Sequence, residues 1–198
     1  MNVRLAKDYS LLASVYYAGG VLNNYYSISL GMITNNDDSA EQNIAVARIG
    51  SYINEIIHSG VFIDQAEKEQ IHQLHNAGIK TIILPEQPFD QSVAIMLFCK
   101  LNAIVEDRLL VTDITVTSLA GDSVRYIFDA EDAFGSFAKE GWWTEIEPSW
   151  CEHTKDNPSG KIVKMDRKLA WEDIDLGWQE NIEETNNVLK GNFNKKDD

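Results

Sequence analysis

The chain has 198 residues, 44 % of them apolar, and this length and composition suit a globular protein with one packed core. Its 31 acidic and 17 basic side chains give a formal net charge of −14, which repels phosphate backbones and anionic lipids and argues against direct binding to nucleic acid or membranes. The two cysteines, Cys99 and Cys151, do not provide a disulfide framework, so a reducing, cytoplasmic location is expected.

The N-terminal region contains a long uncharged segment, residues 9–36. Glycine, asparagine and serine residues interrupt the segment, which argues against a membrane-spanning helix. A secretory signal is not expected, because Asp8 lies where such a signal is basic and no small-residue cleavage site follows, so the segment is expected to be buried core. A helical spacing of four larger side chains predicts a first helix that ends at Gly19 and Gly20. These side chains are Leu5, Tyr9, Leu12 and Tyr16. Residues 21–34 are compatible with either a strand or a helix.

Two further helices are predicted from capping signals. Ser39 and Gln42 form a capping box that opens a helix over residues 41–59. A third helix is predicted to begin at Asp64 as its N-cap and to end at Gly78, which supplies the left-handed residue that helix ends favour.

The third predicted helix carries two histidines, His72 and His75, on neighbouring positions of one face. A catalytic zinc needs about three protein ligands, and this spacing fixes no third one. The pattern therefore favours a solvated helix face, and neither a metal nor any other cofactor is predicted.

The centre of the chain has the most regular pattern. Residues 79–84 form a β-branched run that predicts a buried strand, and Asp90 is expected to cap a strongly apolar helix. Two alternating segments follow, residues 109–118 and 124–128, and predict two more strands.

These last two strands are predicted to form a hairpin. A slip of one residue would move every side chain to the opposite face, so the apolar pattern fixes the register. Val116 should then face Tyr126, and Ile114 should face Phe128. The predicted fold is α+β, with helices packed on a small mixed sheet built from a strand-helix-strand unit followed by this hairpin.

The last third of the chain is acidic and aromatic, and an irregular structure is predicted for it. We expect a single domain over residues 1–180 and a flexible tail over residues 181–198. Tryptophan is enriched at binding hot spots, and a ring of carboxylates around it would select a basic partner surface. The alternative is that the rings pack within their own domain. The predicted partner-binding residues are Trp142, Trp143, Trp150, Trp171, Asp173, Asp175 and Trp178.

Asp113 is the best candidate for catalysis, because it interrupts a strand of Leu, Val, Ile and Thr. A hydrolase or transferase could use it with Glu106 or His75. The ordinary explanation is an exposed position or a salt bridge, for instance to Arg125.

The sequence Cys151-Glu152-His153 places a thiol beside an imidazole. Adjacent side chains on an extended chain point in opposite directions, and no local signature of a cysteine enzyme surrounds them. An incidental cysteine is the favoured interpretation.

The favoured function is that of a non-enzymatic, inhibitory or accessory protein, such as a virus or mobile element would encode, that docks on a basic surface of a partner protein. One alternative is the Asp113 enzyme. Another is a structural subunit of a homo-oligomer that associates through residues 9–36.

Overall fold

The computed structural model describes residues 3–35, 38–148 and 169–178. Within these ranges the chain forms six strands and three α-helices. In chain order they are β1 (Arg4–Tyr17), β2 (Gly20–Thr34), α1 (Ser39–Ser51), β3 (Val61–Asp64), α2 (Lys68–Asn76), β4 (Thr81–Leu84), α3 (Asp90–Val105), β5 (Leu109–Ser118) and β6 (Tyr126–Asp129).

The six strands form one mixed sheet in the order β4-β3-β1-β2-β5-β6. β3 pairs in parallel with β1 and with β4, and the other pairs are antiparallel. The sheet curls into a half-barrel, and the helices pack on its inner face. The predicted α+β class with a mixed sheet is therefore confirmed.

The N-terminal region is a long β-hairpin, so the predicted first helix is wrong. Ala18 and Gly19 form its two-residue turn with φ angles of 49° and 83°, the left-handed conformation that tight hairpins require. Along β1 the buried side chains alternate with exposed ones, which is the period of a strand and not of a helix. The glycine pair that was read as a helix end belongs to the hairpin turn and the start of β2.

The hairpin also corrects the expectation that residues 9–36 are buried throughout. Tyr26, Ile28 and Leu30 on β2 face the core, whereas the residues between them lie on the outer face of the sheet and are exposed. Apolar side chains occur on that outer face too. Leu12 and Tyr25 are direct cross-strand partners and are exposed at 48 % and 42 %.

The ends of α1 and α2 differ from the prediction. Asp38 is the N-cap of α1, because its carboxylate accepts hydrogen bonds from the backbone N–H groups of Ala40 and Glu41, a role that had been given to Ser39. The helix continues into a π-helical turn over Tyr52–Ile56. Asp64 is the last residue of β3, a strand that the sequence reading missed, so α2 is shorter than predicted.

The centre of the chain agrees well with its prediction. β4, α3, β5 and β6 occur at or close to their predicted positions, and the β5–β6 register pairs Val116 with Tyr126 and Ile114 with Phe128. The predicted cap is wrong: Phe89 is the N-cap of α3, and the carboxylate of Asp90, its first residue, accepts a hydrogen bond from Ser118 instead. Ile114, Val116 and Phe128 are fully buried against α3. The alternation of apolar and polar residues therefore fixed both the hairpin and its core face.

The core contains tyrosines whose ionisation is suppressed. Burial raises the pKa of Tyr9 from 10.0 to about 12 and also raises the pKa of Tyr26 and Tyr52. The folded chain therefore holds these protons more tightly than the unfolded chain does. The stability that the folded state gains by keeping these tyrosines protonated is complete below about pH 10 and is lost as the pH rises above that value.

We expect the urea midpoint of unfolding to fall between about pH 10 and pH 12, together with a rise in tyrosinate absorbance. Tyr9→Phe removes one of the ionising groups, so its midpoint should fall less steeply over the same range. An equal slope in the wild type and in this variant would contradict the assignment.

Candidate functional site

The most distinctive surface of the molecule is formed by residues 129–148 and 169–178, here called the acidic cover. These 30 residues contain nine acidic side chains and one basic one, Lys139. Beyond Asp129, the last residue of β6, the regular structure of the acidic cover consists of short 3₁₀ turns, and its aromatic rings join the core beside α3. Such an irregular, like-charged segment needs specific contacts to hold it in place.

The first of these contacts comes from Lys100, in the middle of the apolar helix α3. The residue is completely buried, and its Nζ donates hydrogen bonds to the backbone carbonyls of Trp142, Glu145 and Glu147 at 3.0, 2.6 and 2.5 Å. An ammonium group has three N–H donors, so three carbonyl acceptors can satisfy it inside the protein. Lys100 thereby holds residues 142–147 against α3.

The second contact comes from Arg48 on α1, which is 1 % exposed. Its Nε donates to the carbonyl of Leu176 at 2.8 Å, and its Nη1 donates to the carbonyl of Ile104 and to Oε1 of Glu106. Burial lowers the pKa of the guanidinium, and the hydrogen bond and charge of Glu106 oppose that effect. The guanidinium therefore binds the later part of the acidic cover to the ends of α1 and α3.

Two indole rings complete the surroundings of Arg48. Its guanidinium carbon lies 3.7 Å from the ring centroid of Trp178 and 4.9 Å from that of Trp171. Arg108 lies on the Trp178 ring as well, at 4.5 Å. Contacts between cations and aromatic faces gain strength when water is excluded, so these rings stabilise the buried charge.

Most of the predicted tryptophan anchors are internal. Trp142, Trp143 and Trp171 are only 5 %, 8 % and 2 % exposed. Each donates its indole N–H to a backbone carbonyl within the fold, namely that of Ile83, Phe137 and Ile146 respectively. Trp178 is half-buried and donates to Glu106 at 2.7 Å. These four rings pack within their own fold, which is the alternative given in the sequence analysis. The fifth predicted tryptophan, Trp150, lies outside the described residues.

The acidic members of the predicted site are placed differently. Asp173 and Asp175 are exposed, together with their neighbour Glu172. One oxygen of Asp173 accepts a hydrogen bond from the backbone N–H of Ala170, which braces the turn. The structure therefore brings the predicted carboxylates to the surface and keeps three of the four described indoles beneath it.

The catalytic candidates do not converge. Asp113 lies on β5, whereas His75 lies near the end of α2. The Nε2 atom of His75 is 2.5 Å from Oγ1 of Thr81, the first residue of β4. β3, β1 and β2 separate those two strands in the sheet. Glu106 is engaged by Arg48 and Trp178. The structure thus places each candidate in a different environment.

Other features from the sequence can be located as well. His72 is exposed on α2, whereas Cys151 and His153 lie outside the described residues. Burial raises the pKa of the Cys99 thiol from 9.0 to about 11. In the ranges that the structure describes, no group of three His, Cys, Asp or Glu side chains could hold a metal ion, and no helix is long and apolar enough to cross a bilayer.

Comparisons with known proteins add little. No family profile and no curated protein matches the chain. Seven chains of solved structures match, among them the crystal structure of an uncharacterized protein, WS1659 from Wolinella succinogenes. That similarity has a TM-score of 0.46 with 11 % sequence identity, and it covers 66 % of this chain and 99 % of the other.

Lys100 is the residue on which this site depends most directly, so we expect Lys100→Met to lower the free energy of unfolding by about 2–4 kcal/mol. The substitution keeps the apolar stem and leaves three carbonyls without their donor. Hydrogen exchange should accelerate at residues 142–147 and stay unchanged in β1 and β2. Urea unfolding and exchange measured by mass spectrometry test both effects.

Lys139→Met is the matched control, because it removes one positive charge from an exposed position of the acidic cover. Its free energy of unfolding should stay within about 0.5 kcal/mol of the wild type. Equal stability of the two variants would contradict the role given to Lys100.

Proposed function

We propose that this chain is a non-enzymatic binding protein that docks its acidic cover on a basic surface of a partner protein. The observation that carries the proposal is the pair of buried cations, Lys100 and Arg48, which fix an acid-rich segment through its backbone and its indoles. Most of its carboxylates are exposed to solvent. An inhibitory role and an origin in a virus or mobile element remain predictions.

The charge distribution favours a basic partner. Seven of the nine acidic residues of the acidic cover are exposed. Its two segments, residues 129–148 and 169–178, are joined where the indole N–H of Trp171 donates to the carbonyl of Ile146. Clustered carboxylates on a fixed backbone produce a directed field that accelerates encounter with a positively charged surface. Because the segment is already ordered, little conformational entropy is lost when it binds.

The tryptophans have a supporting role in this proposal. Trp142 and Trp171 lie in the core, so replacing either with alanine would leave a cavity and lower stability by about 3–5 kcal/mol. Loss of binding in such a variant would not distinguish a contact from an unfolded surface. The exposed carboxylates are the better probes.

The test uses a bait in which four exposed acids of the acidic cover are neutralised. These changes are Glu131→Gln, Glu140→Gln, Glu172→Gln and Asp175→Asn. A control bait carries Glu55→Gln, Glu69→Gln and Asp122→Asn, which remove exposed acids elsewhere. Partners captured from the native cell are identified by mass spectrometry and then purified for titration calorimetry.

The wild-type and control baits should bind the same basic partner, and the neutralised bait should lose at least about tenfold in affinity. The affinity of the wild type should fall as salt concentration rises, because the interaction is between exposed charges. Equal binding by all three baits, or an affinity independent of salt, would argue against the proposal.

A second candidate function, a subunit of a homo-oligomer, is favoured by the outer face of the β1–β2 hairpin. An exposed apolar row crosses three neighbouring chain segments and consists of Leu12, Tyr25 and Leu119, which are 48 %, 42 % and 70 % exposed. Leu12 pairs with Tyr25 across the hairpin, and the backbone N–H of Leu119 donates to the carbonyl of Tyr25. Residues 9–36 contain no charged side chain that could form an ion pair with a charged partner. The acidic cover contacts the helices on the opposite face of the sheet, so two copies could meet through this row without opposing their charges.

Sedimentation equilibrium tests this candidate. The wild type should self-associate, and Leu12→Asp should be monomeric because a symmetric interface would bury two new charges. Ile79→Asp, at a 40 % exposed apolar position before β4, should behave as the wild type does. A wild type that stays monomeric at every concentration would exclude the homo-oligomer.

A further inference from the structure

A β-bulge lies on the outer face of the sheet, in β5, next to Asp113, which pairs across to Asp129 at the start of the acidic cover. β2 and β5 pair Gly31 with Asp113 but then Met32 with Val111, so Thr112 is an extra residue in β5. Bulges change the direction of side chains and are frequent beside binding sites. This bulge accounts for the position of Asp113, the acid that interrupts an otherwise apolar and hydroxyl-bearing strand.

Gly31 accommodates the carboxylate of Asp113. A Cβ atom at position 31 would overlap the carboxyl group, whose nearest atoms lie well inside contact distance. A glycine here therefore creates the space that the Asp113 side chain occupies. Oγ1 of Thr112 donates a hydrogen bond to Oδ2 of Asp113 at 2.8 Å, which orients the carboxylate.

The bulge lies beside a half-open surface cavity of about 290 Å³. Arg4 and Asp113 both line it and provide one charge of each sign, and Leu5 and Ile33 contribute apolar surface. Within the described residues the two charged side chains form no ion pair with each other. One cation and one anion therefore line the same cavity without forming an ion pair with each other.

We propose that this cavity binds a small zwitterion, an α-amino acid with an apolar side chain. The guanidinium of Arg4 would donate hydrogen bonds to the carboxylate of the ligand from its planar set of N–H groups, and the carboxylate of Asp113 would accept hydrogen bonds from the ammonium group. Asp113 would repel a simple anion, and Arg4 would repel a simple cation, so neither kind of ligand would be attracted by both charged side chains. The volume lies near the lower end of small-molecule pockets, about 300 Å³, which restricts the ligand to this size class.

Titration of the full chain with L-valine, followed by NMR, tests the proposal. Isovalerate lacks only the amino group of valine, and isobutylamine lacks only its carboxylate, so the three probes separate the two charges. We expect saturable shifts at the residues lining the cavity with L-valine and at least about tenfold weaker binding of the other two. No saturable binding of L-valine, or equal binding of either analogue, would overturn the proposal.

Asp113→Asn and Arg4→Gln keep the approximate shape of each side chain and remove its charge. Each should weaken L-valine binding by about tenfold or more, whereas Asp122→Asn and Arg125→Gln remove exposed charges in the β5–β6 loop and should have no effect. The backbone spectrum of each variant reports whether it is folded. Unchanged affinity in folded Asp113→Asn would also refute the site. The four acids neutralised in the docking test do not line this cavity, so the two proposals fail separately.

Discussion

Two buried cations organise the part of this protein that has no regular secondary structure. Lys100 and Arg48 are removed from water, and a charge in that position is costly unless hydrogen bonds satisfy it. Their partners are backbone carbonyls and indole faces of the acidic cover, together with the carbonyl of Ile104 and the carboxylate of Glu106. The same bonds that satisfy the cations therefore hold an acid-rich segment against the helices.

This arrangement separates the inside of the acidic cover from its outside. Beneath it, the buried cations and the indole N–H groups of Trp142, Trp143 and Trp171 are hydrogen-bonded within the fold. Outside it, carboxylates such as Glu172 and Asp175 are exposed to solvent. A negatively charged segment that repels itself is thus fixed by cations from α1 and α3. The outer face of the sheet, with the exposed apolar side chains of the hairpin and the cavity beside Asp113, is a second and chemically different surface.

Local pattern predicted the centre of the fold and failed elsewhere for identifiable reasons. The β5–β6 register followed from alternation alone, since burial of Ile114 and Phe128 excludes a slip by one residue. The N-terminal hairpin was mistaken for a helix because Leu5, Tyr9, Leu12 and Tyr16 also fit a helical period. Lys100 inside the apolar helix α3 is a visible sign of a buried cation that needs partners. Its partners, more than 40 positions away, were not accessible to local reasoning.

Hydrogen exchange of the individual indole N–H groups, resolved by NMR, tests the central claim most directly. If Arg48 holds the end of the acidic cover, the indole protons of Trp171 and Trp178 are protected in the wild type and exchange rapidly in Arg48→Gln, while that of Trp143 stays protected in both. Rapid exchange of the Trp171 proton in the wild type, or unchanged protection in the variant, would contradict the account.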